Sequence, residues 1–522
     1  MLIHNARIWT NDPGRPWADA ALAADGRWVF VGRRNELAAP AGVREYDALG
    51  RLLIPGFIDG HAHLLNTGFA MRSVDLKGVP SVAQAAERVA ARVAATPAGG
   101  WVRGAGWDQN DWPGARFPTR RQLDAVAPEH PVVLAHTSGH CVWVNSAALR
   151  AAGITAATAP PEGGAIDLGE DGEPSGILRD NASTLVERVA PRPSHEERVT
   201  ALREAIAHAH ALGVTGAHAM NVGAGEWSAL RALHEAGELQ FRTRVFLTAE
   251  RLDQWIDEGV RTGDGDEALR LGGVKFFADG ALGSLTAWML EPYEGRGDTG
   301  FPLQAVDVLE ERVRRCLGAG LAPAIHAIGD RANRETLGII ERSRDVAPGL
   351  PRRIEHAQLL AADDLPRFAA LGVTASAQPI HATQDMTKVD REWGARGRGA
   401  YAFASLLASG ANLAFGSDTP VETIDPIAGV HAAITRRRAD GTPAGGWYPD
   451  ERLPLDAALR AYTSGCAAAA GEEGRLGRIA AGCHADAVLL SHDIFALKDA
   501  MEILKARADL TLVGGVAVYE RV

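Results

Sequence analysis

The stretch Leu53 to Gly68, LIPGFIDGHAHLLNTG, decides the fold. It is an apolar run that ends in two histidines, His61 and His63. Side chains alternate along a strand, so residues i and i+2 point the same way and the two rings converge. Gly60 before them lets backbones crowd, and Asp59 is placed to orient a ring. Converging imidazoles are half of a metal site. A His-x-His pair is a weak signal by itself, and its weight comes from polar residues at the ends of other strand-like runs.

Outward from this stretch, one pattern repeats: an amphipathic helix, a glycine stop, a short apolar run. From His195 to Leu212, the residues Val199, Leu202, Ile206, Ala209 and Leu212 fall on one helical face, Gly213 ends the helix, and VTGAH follows. The pattern recurs from Val308 to Leu317 ahead of LAPAIHAIGD and from Asp330 to Arg344 ahead of PRRIEHAQ. It recurs again from Asp363 to Leu371 ahead of VTASAQP, and from Tyr401 to Ala408 ahead of NLAFGSDTP. Eight runs then qualify as parallel strands: IPGFIDGHAH, VTGAHAM, RTRVFLTA, GGVKFFADG, APAIHAIGD, RRIEHAQ, VTASAQP and LAFGSDTP. Alternating helices and eight strands predict an α/β protein, a (β/α)8 TIM barrel over residues 53–474. The alternative is an open doubly wound sheet, but no G-x-G-x-x-G turn opens a helix after the first strand.

Both chain ends read differently. IHNARIWT and GRWVFVG near the start, and HADAVLLS and LTLVGGVAVYERV near the end, are β-rich and broken by turn signals, including a Gly-Gly hairpin. They predict one small β-sandwich domain from residues 1–52 and 475–522. Residues 69–192 exceed any single βα loop and predict an insertion after barrel strand 1, folded near the barrel mouth and suited to substrate selection. Trp101, Trp107, Trp112 and Trp143 crowd that insertion, where they either pack a core or line a pocket.

Hydrophobic residues make up 46% and charged residues 23% of the chain, as in an ordinary globular enzyme. A net charge of −11 argues against a nucleic-acid or anionic-membrane partner, both of which demand a basic face. Cys141, Cys316, Cys466 and Cys483 are widely spaced, which suggests reduced thiols rather than disulfides or a thiolate metal site. No basic-then-apolar leader opens the sequence and no run approaches 18 apolar residues. The expectation is a cytoplasmic enzyme with a small-molecule substrate and no membrane anchor; a homo-oligomer is left open.

On the eight strands, the polar residues at C-terminal ends are His61 and His63, Lys275, His326, His356 and Asp418. These are the positions where barrel enzymes build active sites. Four imidazoles and a carboxylate suit Zn²⁺ or a similar first-row ion better than Mg²⁺ or Ca²⁺, which prefer oxygen. Such an ion polarises a carbonyl and lowers the pKa of a bound water to roughly 7. Asp418 is placed to take that water's proton and pass it to a leaving group.

The runs GFIDGHAH, GGVKFFADG, AIHAIGD, RIEHAQ and FGSDTPV, in this order, resemble the amidohydrolase superfamily, and within it the YtcJ-like branch (amidohydrolase family 3), which includes N-substituted formamide deformylases. The likeness extends to the GRIAAGCHADAVLL tail. The resemblance implies that His61, His63 and Asp418 hold one metal and that His326 and His356 hold a second. Lys275 then reacts with CO₂ to become an N6-carboxylysine bridging both, or stays an amine in a one-metal site. Asp330 stands in HAIGDRA where deaminase branches place a Glu, and Leu285 replaces an expected Arg. Deamination is thereby less favoured.

Further residues are assigned provisional roles. His140 and Asp279 are substrate-binding candidates, and His218 lies close behind the site. Glu355 is taken as structural, because it faces away from His356 on the same strand. His136, His208, His210, His381 and His431 are taken as structural or exposed. The predicted activity is metal-dependent cleavage of a C–N bond in an amide, N-formyl, N-acyl or cyclic amide group, with Asp418 as general acid and base. The alternatives are ester, lactone or phosphoester hydrolysis, deamination, and a non-catalytic metal-binding barrel.

Overall fold

The eight expected runs all form strands, here numbered β1 (Phe57–Ala62), β2 (Val214–Val222), β3 (Arg242–Thr248), β4 (Leu269–Phe277), β5 (Pro323–Ala327), β6 (Arg352–His356), β7 (Val373–Ala377) and β8 (Leu413–Phe415). The computed structural model describes residues 1–38, 42–137 and 140–521. Each strand pairs in parallel with the next in this order. The intervening helices are amphipathic as expected: Val306–Gly318 buries Leu309, Val313, Cys316 and Leu317 on one face. Helix His195–Ala211 gives way to β2 through Gly213, whose φ of 84° takes the left-handed conformation that closes a helix.

Closure of the ring depends on two glycines. The segment after β8 pairs with the end of β1 through Asp418 N to His61 O (2.7 Å) and His63 N to Thr419 O (3.0 Å). A Cβ on Gly416 would lie 2.4 Å from His61 N, and one on Gly60 would lie 2.9 Å from Phe415 O. Only glycine permits that approach. Asp59 then fastens the join, its Oδ1 accepting from His61 N and Ser417 N at 3.0 Å each.

The opening stretch serves two sheets. Leu52–Pro55 belongs to a six-stranded sheet made from both chain ends, in the order Val516–Glu520, Ala508–Val513, Ala487–Leu490, Leu52–Pro55, Arg7–Trp9 and Trp17–Ala18. A four-stranded sheet of N-terminal segments faces it across Ile3, Ile8, Trp28, Leu53, Leu489 and Leu512. The Gly514-Gly515 hairpin has both φ values positive (58° and 73°), as the tight turn between twisted strands requires. Arg242 on β3 bonds Asp486 through two nitrogens at 2.9 Å, which ties the barrel to this β-sandwich.

The chain divides into two compact units, Met1–Leu64 with Leu202–Val522, and Leu65–Ala201. The second unit is the insertion after β1, and it has its own six-stranded mixed sheet. Its core contains Trp107, Trp112 and Trp143, with the first two stacked at 5.7 Å between centroids. For these three rings core packing is the reading the structure adopts, whereas Trp101 is half-buried beside a second cluster and lines a surface cavity. All four cysteines are free and buried. Among the described residues, no helix is long and apolar enough to cross a membrane.

Substituting Gly416 by Ala puts a methyl group against the His61 backbone. Overpacking of this kind costs about 1–3 kcal/mol, so the Gly416→Ala protein is expected to melt several degrees below the parent; an unchanged thermal midpoint would rule out this account of barrel closure.

Candidate metal centre

The barrel interior below the strand ends holds a buried ion pair beside a small apolar cluster of Met220, Phe246 and Ala324. Arg353 and Glu355, two apart on β6, are 1% and 0% exposed. The Arg353 guanidinium donates to Glu355, to Gly60 O on β1 (2.7 Å), to Ser376 Oγ on β7 (2.8 Å) and to His218 Nδ1 on β2 (2.7 Å). Bonds to strands on several sides place it inside the ring. Burial alone would push the Glu355 carboxyl up, but Arg353 and His61 outweigh it and hold the group well below the usual carboxylate range. Glu355 is therefore an anion at the barrel's centre.

That anion orients the first histidine. His61 Nδ1–H donates to Glu355 Oε2 at 2.6 Å, so the lone pair is on Nε2, which is buried with no hydrogen-bond partner among the described residues. Burial, reinforced by Lys275, lowers the His61 pKa to about 4, so the ring is neutral. The other three histidines follow the same rule. His63 Nδ1 donates to Met220 O (3.1 Å), His356 Nδ1 to Gln378 Oε1 (2.9 Å) and His326 Nε2 to Gly280 O (2.9 Å). In His61, His326 and His356 an acceptor fixes one nitrogen as N–H and leaves the other as a lone pair, while His63 Nε2 faces the Asp418 carboxylate. Burial also lowers His326 to about 3 and His356 well below its ordinary value.

His61, His63 and His356 gather around Asp418. Its Oδ1 lies 3.1 Å from His63 Nε2 and 3.4 Å from His61 Nε2, and the donor atoms of His61, His356 and Asp418 all fall within 4.8 Å of one another. The His356 ring centroid is 4.8 Å from that of His61 and 4.6 Å from that of His326. Burial would raise Asp418, but the neighbouring His61 and His63 dominate and keep it ionised. Lys275 is 1% exposed in the same interior, and burial lowers its pKa to about 8 despite the anions Glu355 and Asp418. Neutral imidazoles, a carboxylate and an orphaned buried Nε2 are the donor set of a divalent first-row ion, which would satisfy that nitrogen.

Strand alternation misplaced two residues. Glu355 was expected to point away from the site, yet it and Arg353 fill the interior, and it is His356 that leaves the strand, with φ 71°. Asp418 is likewise left-handed, at φ 57°. Asp59 does not orient a ring; Glu355 does, while Asp59 holds the β1–β8 join. Asp279 also changes role. It is 0% exposed, and its carboxylate accepts from Trp288 N (2.8 Å), Ile328 N (3.0 Å) and Gly329 N (2.9 Å). These bonds anchor the loops after β4 and β5, a structural role for the buried carboxylate. Burial raises the Asp279 pKa to about 7 against these three bonds.

Two further expectations concern loops. Asp330 accepts from Leu290 N at 2.8 Å, a loop anchor in place of a proton shuttle. His140, the other substrate-binding candidate, lies in the insertion unit, where it is exposed and its Nδ1 is 2.9 Å from Asp180 Oδ1. His381 was passed over as structural or exposed, but its ring lies parallel to His356, 6.5 Å between centroids, with Nε2 buried and unpaired among the described residues. Its position just beyond the C-terminal end of β7 was the available signal.

A closed ring of parallel strands with neutral imidazoles and an ionised aspartate at its C-terminal end defines a metal-dependent amidohydrolase. The chain belongs to the amidohydrolase family, whose model matches residues 44–519. It is 32% identical over 529 residues to the putative amidohydrolase YtcJ of Bacillus subtilis, covering 99% of both chains. It is 30% identical over 543 residues to the N-substituted formamide deformylase of Arthrobacter pascens, covering 100% of this chain and 98% of that one. Among solved structures, an uncharacterized metal-dependent hydrolase from Pyrococcus horikoshii superposes with a TM-score of 0.80 at 28% identity, over 95% of this chain and 98% of that chain.

Loss of a partner behind a metal-bound histidine typically weakens metal binding 10–100-fold. Glu355→Gln is expected to shift zinc competition against a chromogenic chelator by that factor; unchanged affinity would separate Glu355 from the metal site.

Proposed function

We propose that the protein hydrolyses a C–N bond in an amide, with N-formyl and N-acyl amines and cyclic amides as the substrate class, and that its ion is Zn²⁺. His61, His63 and Asp418 would hold one ion and His326 and His356 a second, with Lys275 as a further ligand once carboxylated. The observation that carries this reading is that each of the four imidazoles has one nitrogen committed to a protein acceptor. The relative whose name specifies N-substituted formamides supports the N-formyl case. When bound, the ion supplies Lewis acidity at the carbonyl and makes water acidic enough to attack near neutral pH.

The remaining chemistry belongs to the chain. Asp418, held ionised at the site, accepts the proton released by the attacking water and delivers it to the departing nitrogen, so that acid and free amine leave. Lys275 with a pKa of about 8 is partly neutral near neutral pH. Its amine adds to CO₂, forming an N–C bond and releasing one proton, and the resulting carbamate is an anionic ligand where an ammonium would be repelled. The four buried thiols accord with a cytoplasmic enzyme.

Metal-loaded protein offered matched N-alkylformamides, N-acylamines, lactams and the corresponding esters is expected to turn over an amide, to lose activity to a chelator and to regain it with Zn²⁺. Asp418→Asn should lower kcat by at least about 100-fold, within the range for a general acid–base group. Turnover of esters alone would reject the C–N assignment. Separately, ¹³C-labelled bicarbonate is expected to give a carbamate resonance that vanishes in Lys275→Met, and its absence from the zinc-loaded parent protein would leave Lys275 an amine.

A further inference from the structure

The segment after β7 carries a polar group that the reaction as described does not use. Helix Pro379–Gln384 starts directly beyond β7 with proline in its first turn, and His381 is its third residue. The His381 ring lies at 5° to that of His356 with centroids 6.5 Å apart, whereas His61 and His326 approach His356 to 4.8 and 4.6 Å. It therefore stands beside the ligand cluster, one step further out.

Two imidazole nitrogens in this neighbourhood are buried without a partner among the described residues, His61 Nε2 and His381 Nε2. An unpaired buried polar atom is costly and calls for an explanation. A bound ion would account for the first. The second has a different candidate partner, because the N–H groups of His61, His63, His326 and His356 are all given to protein acceptors: Glu355, Met220, Gly280 and Gln378. None of these rings has an N–H left for a substrate oxygen. His381 does.

We propose that His381 binds the substrate, its Nε2–H donating to the carbonyl oxygen of the scissile group as negative charge develops there. The inference rests on the hydrolytic reading above. Donors aimed at a developing oxyanion act mainly in the transition state, and losing one typically lowers kcat 10²–10³-fold. His381 is thus a substrate-contacting residue supplied from the helix after β7, a strand that, like β2 and β3, contributes no metal ligand.

The test compares the parent with His381→Ala and with His381→Gln, whose side-chain amide can place an N–H near the position of Nε2. Metal content is measured by elemental analysis, acetohydroxamate binding by calorimetry, and turnover on N-butylformamide and butyl formate. The expected result is unchanged metal content in both variants. His381→Ala should bind the hydroxamate about 10-fold more weakly and turn over both probes about 100-fold more slowly, with little change in KM. His381→Gln should recover at least about 10-fold of the lost rate.

The proposal is overturned if His381→Ala binds and turns over like the parent, or if both variants lose metal, which would make His381 part of the ion's support. It is also overturned if only the formamide is affected, since an ester lacks the N–H that an accepting ring would need. Should the parent bind hydroxamate with the predicted variant pattern yet turn over neither probe, the His381 contact stands and the assigned substrate class falls.

Discussion

The chain Arg353–Glu355–His61 is the constraint on which the rest of the structure depends. A carboxylate and a guanidinium lie at the centre of a barrel that would ordinarily be packed with branched hydrocarbon, each with almost no access to water. Such a pair contributes little net stability against a hydrophobic replacement, but breaking it by removing one partner costs about 3–5 kcal/mol. Its value is positional. Arg353 holds β1, β2, β6 and β7 to one another through Gly60, His218, Glu355 and Ser376. Glu355 transmits that rigidity to a single imidazole, and it settles which nitrogen is left with a lone pair.

Above this core the backbone departs from regular strand geometry where chemistry is needed. His356 and Asp418 are both non-glycine residues in the left-handed region, a conformation that costs about 1–3 kcal/mol and persists only where surrounding bonds over-determine it. Here Gln378 fixes the His356 ring, and the Asp59–Ser417 bonds fix the backbone just before Asp418. A regular strand would send Glu355 and His356 to opposite faces and could present only one of them to the site. The left-handed turn at the strand end lets both act, one from below and one at the rim.

Burial then sets the protonation states. His61, His326 and His356 are pushed toward neutrality chiefly by desolvation, while Asp418 and Glu355 stay charged because cationic or hydrogen-bonding neighbours outweigh the same effect. The result is a set of side chains already in the form that would bind a cation, so that binding would need no proton released from these three rings. The aspartate, ionised and within reach of two of the imidazoles, is at once a ligand and the proton carrier in the proposed reaction.

Periodicity made the barrel, its eight strands and the two-ended β-sandwich legible in the sequence, and strand-end position singled out His61, His63, Lys275, His326, His356 and Asp418 as candidates. These features are local: an amphipathic helix, a glycine stop and an apolar run each announce themselves within about a dozen residues. What the sequence did not disclose are partnerships between residues far apart in the chain. His61 and Glu355 are 294 positions apart, and Asp59 and Ser417 are 358 apart. Whether His356 follows the alternation that Arg353 and Glu355 obey depends on its own backbone angle, which no alternation rule anticipates. Asp279 looked free to meet a substrate because its three backbone donors come from loops folded back after β4 and β5. Local patterning therefore determined the scaffold and the residue types at its rim. Tertiary packing alone decided which nitrogen of each ring is available, because that depends on an acceptor supplied by another strand or loop.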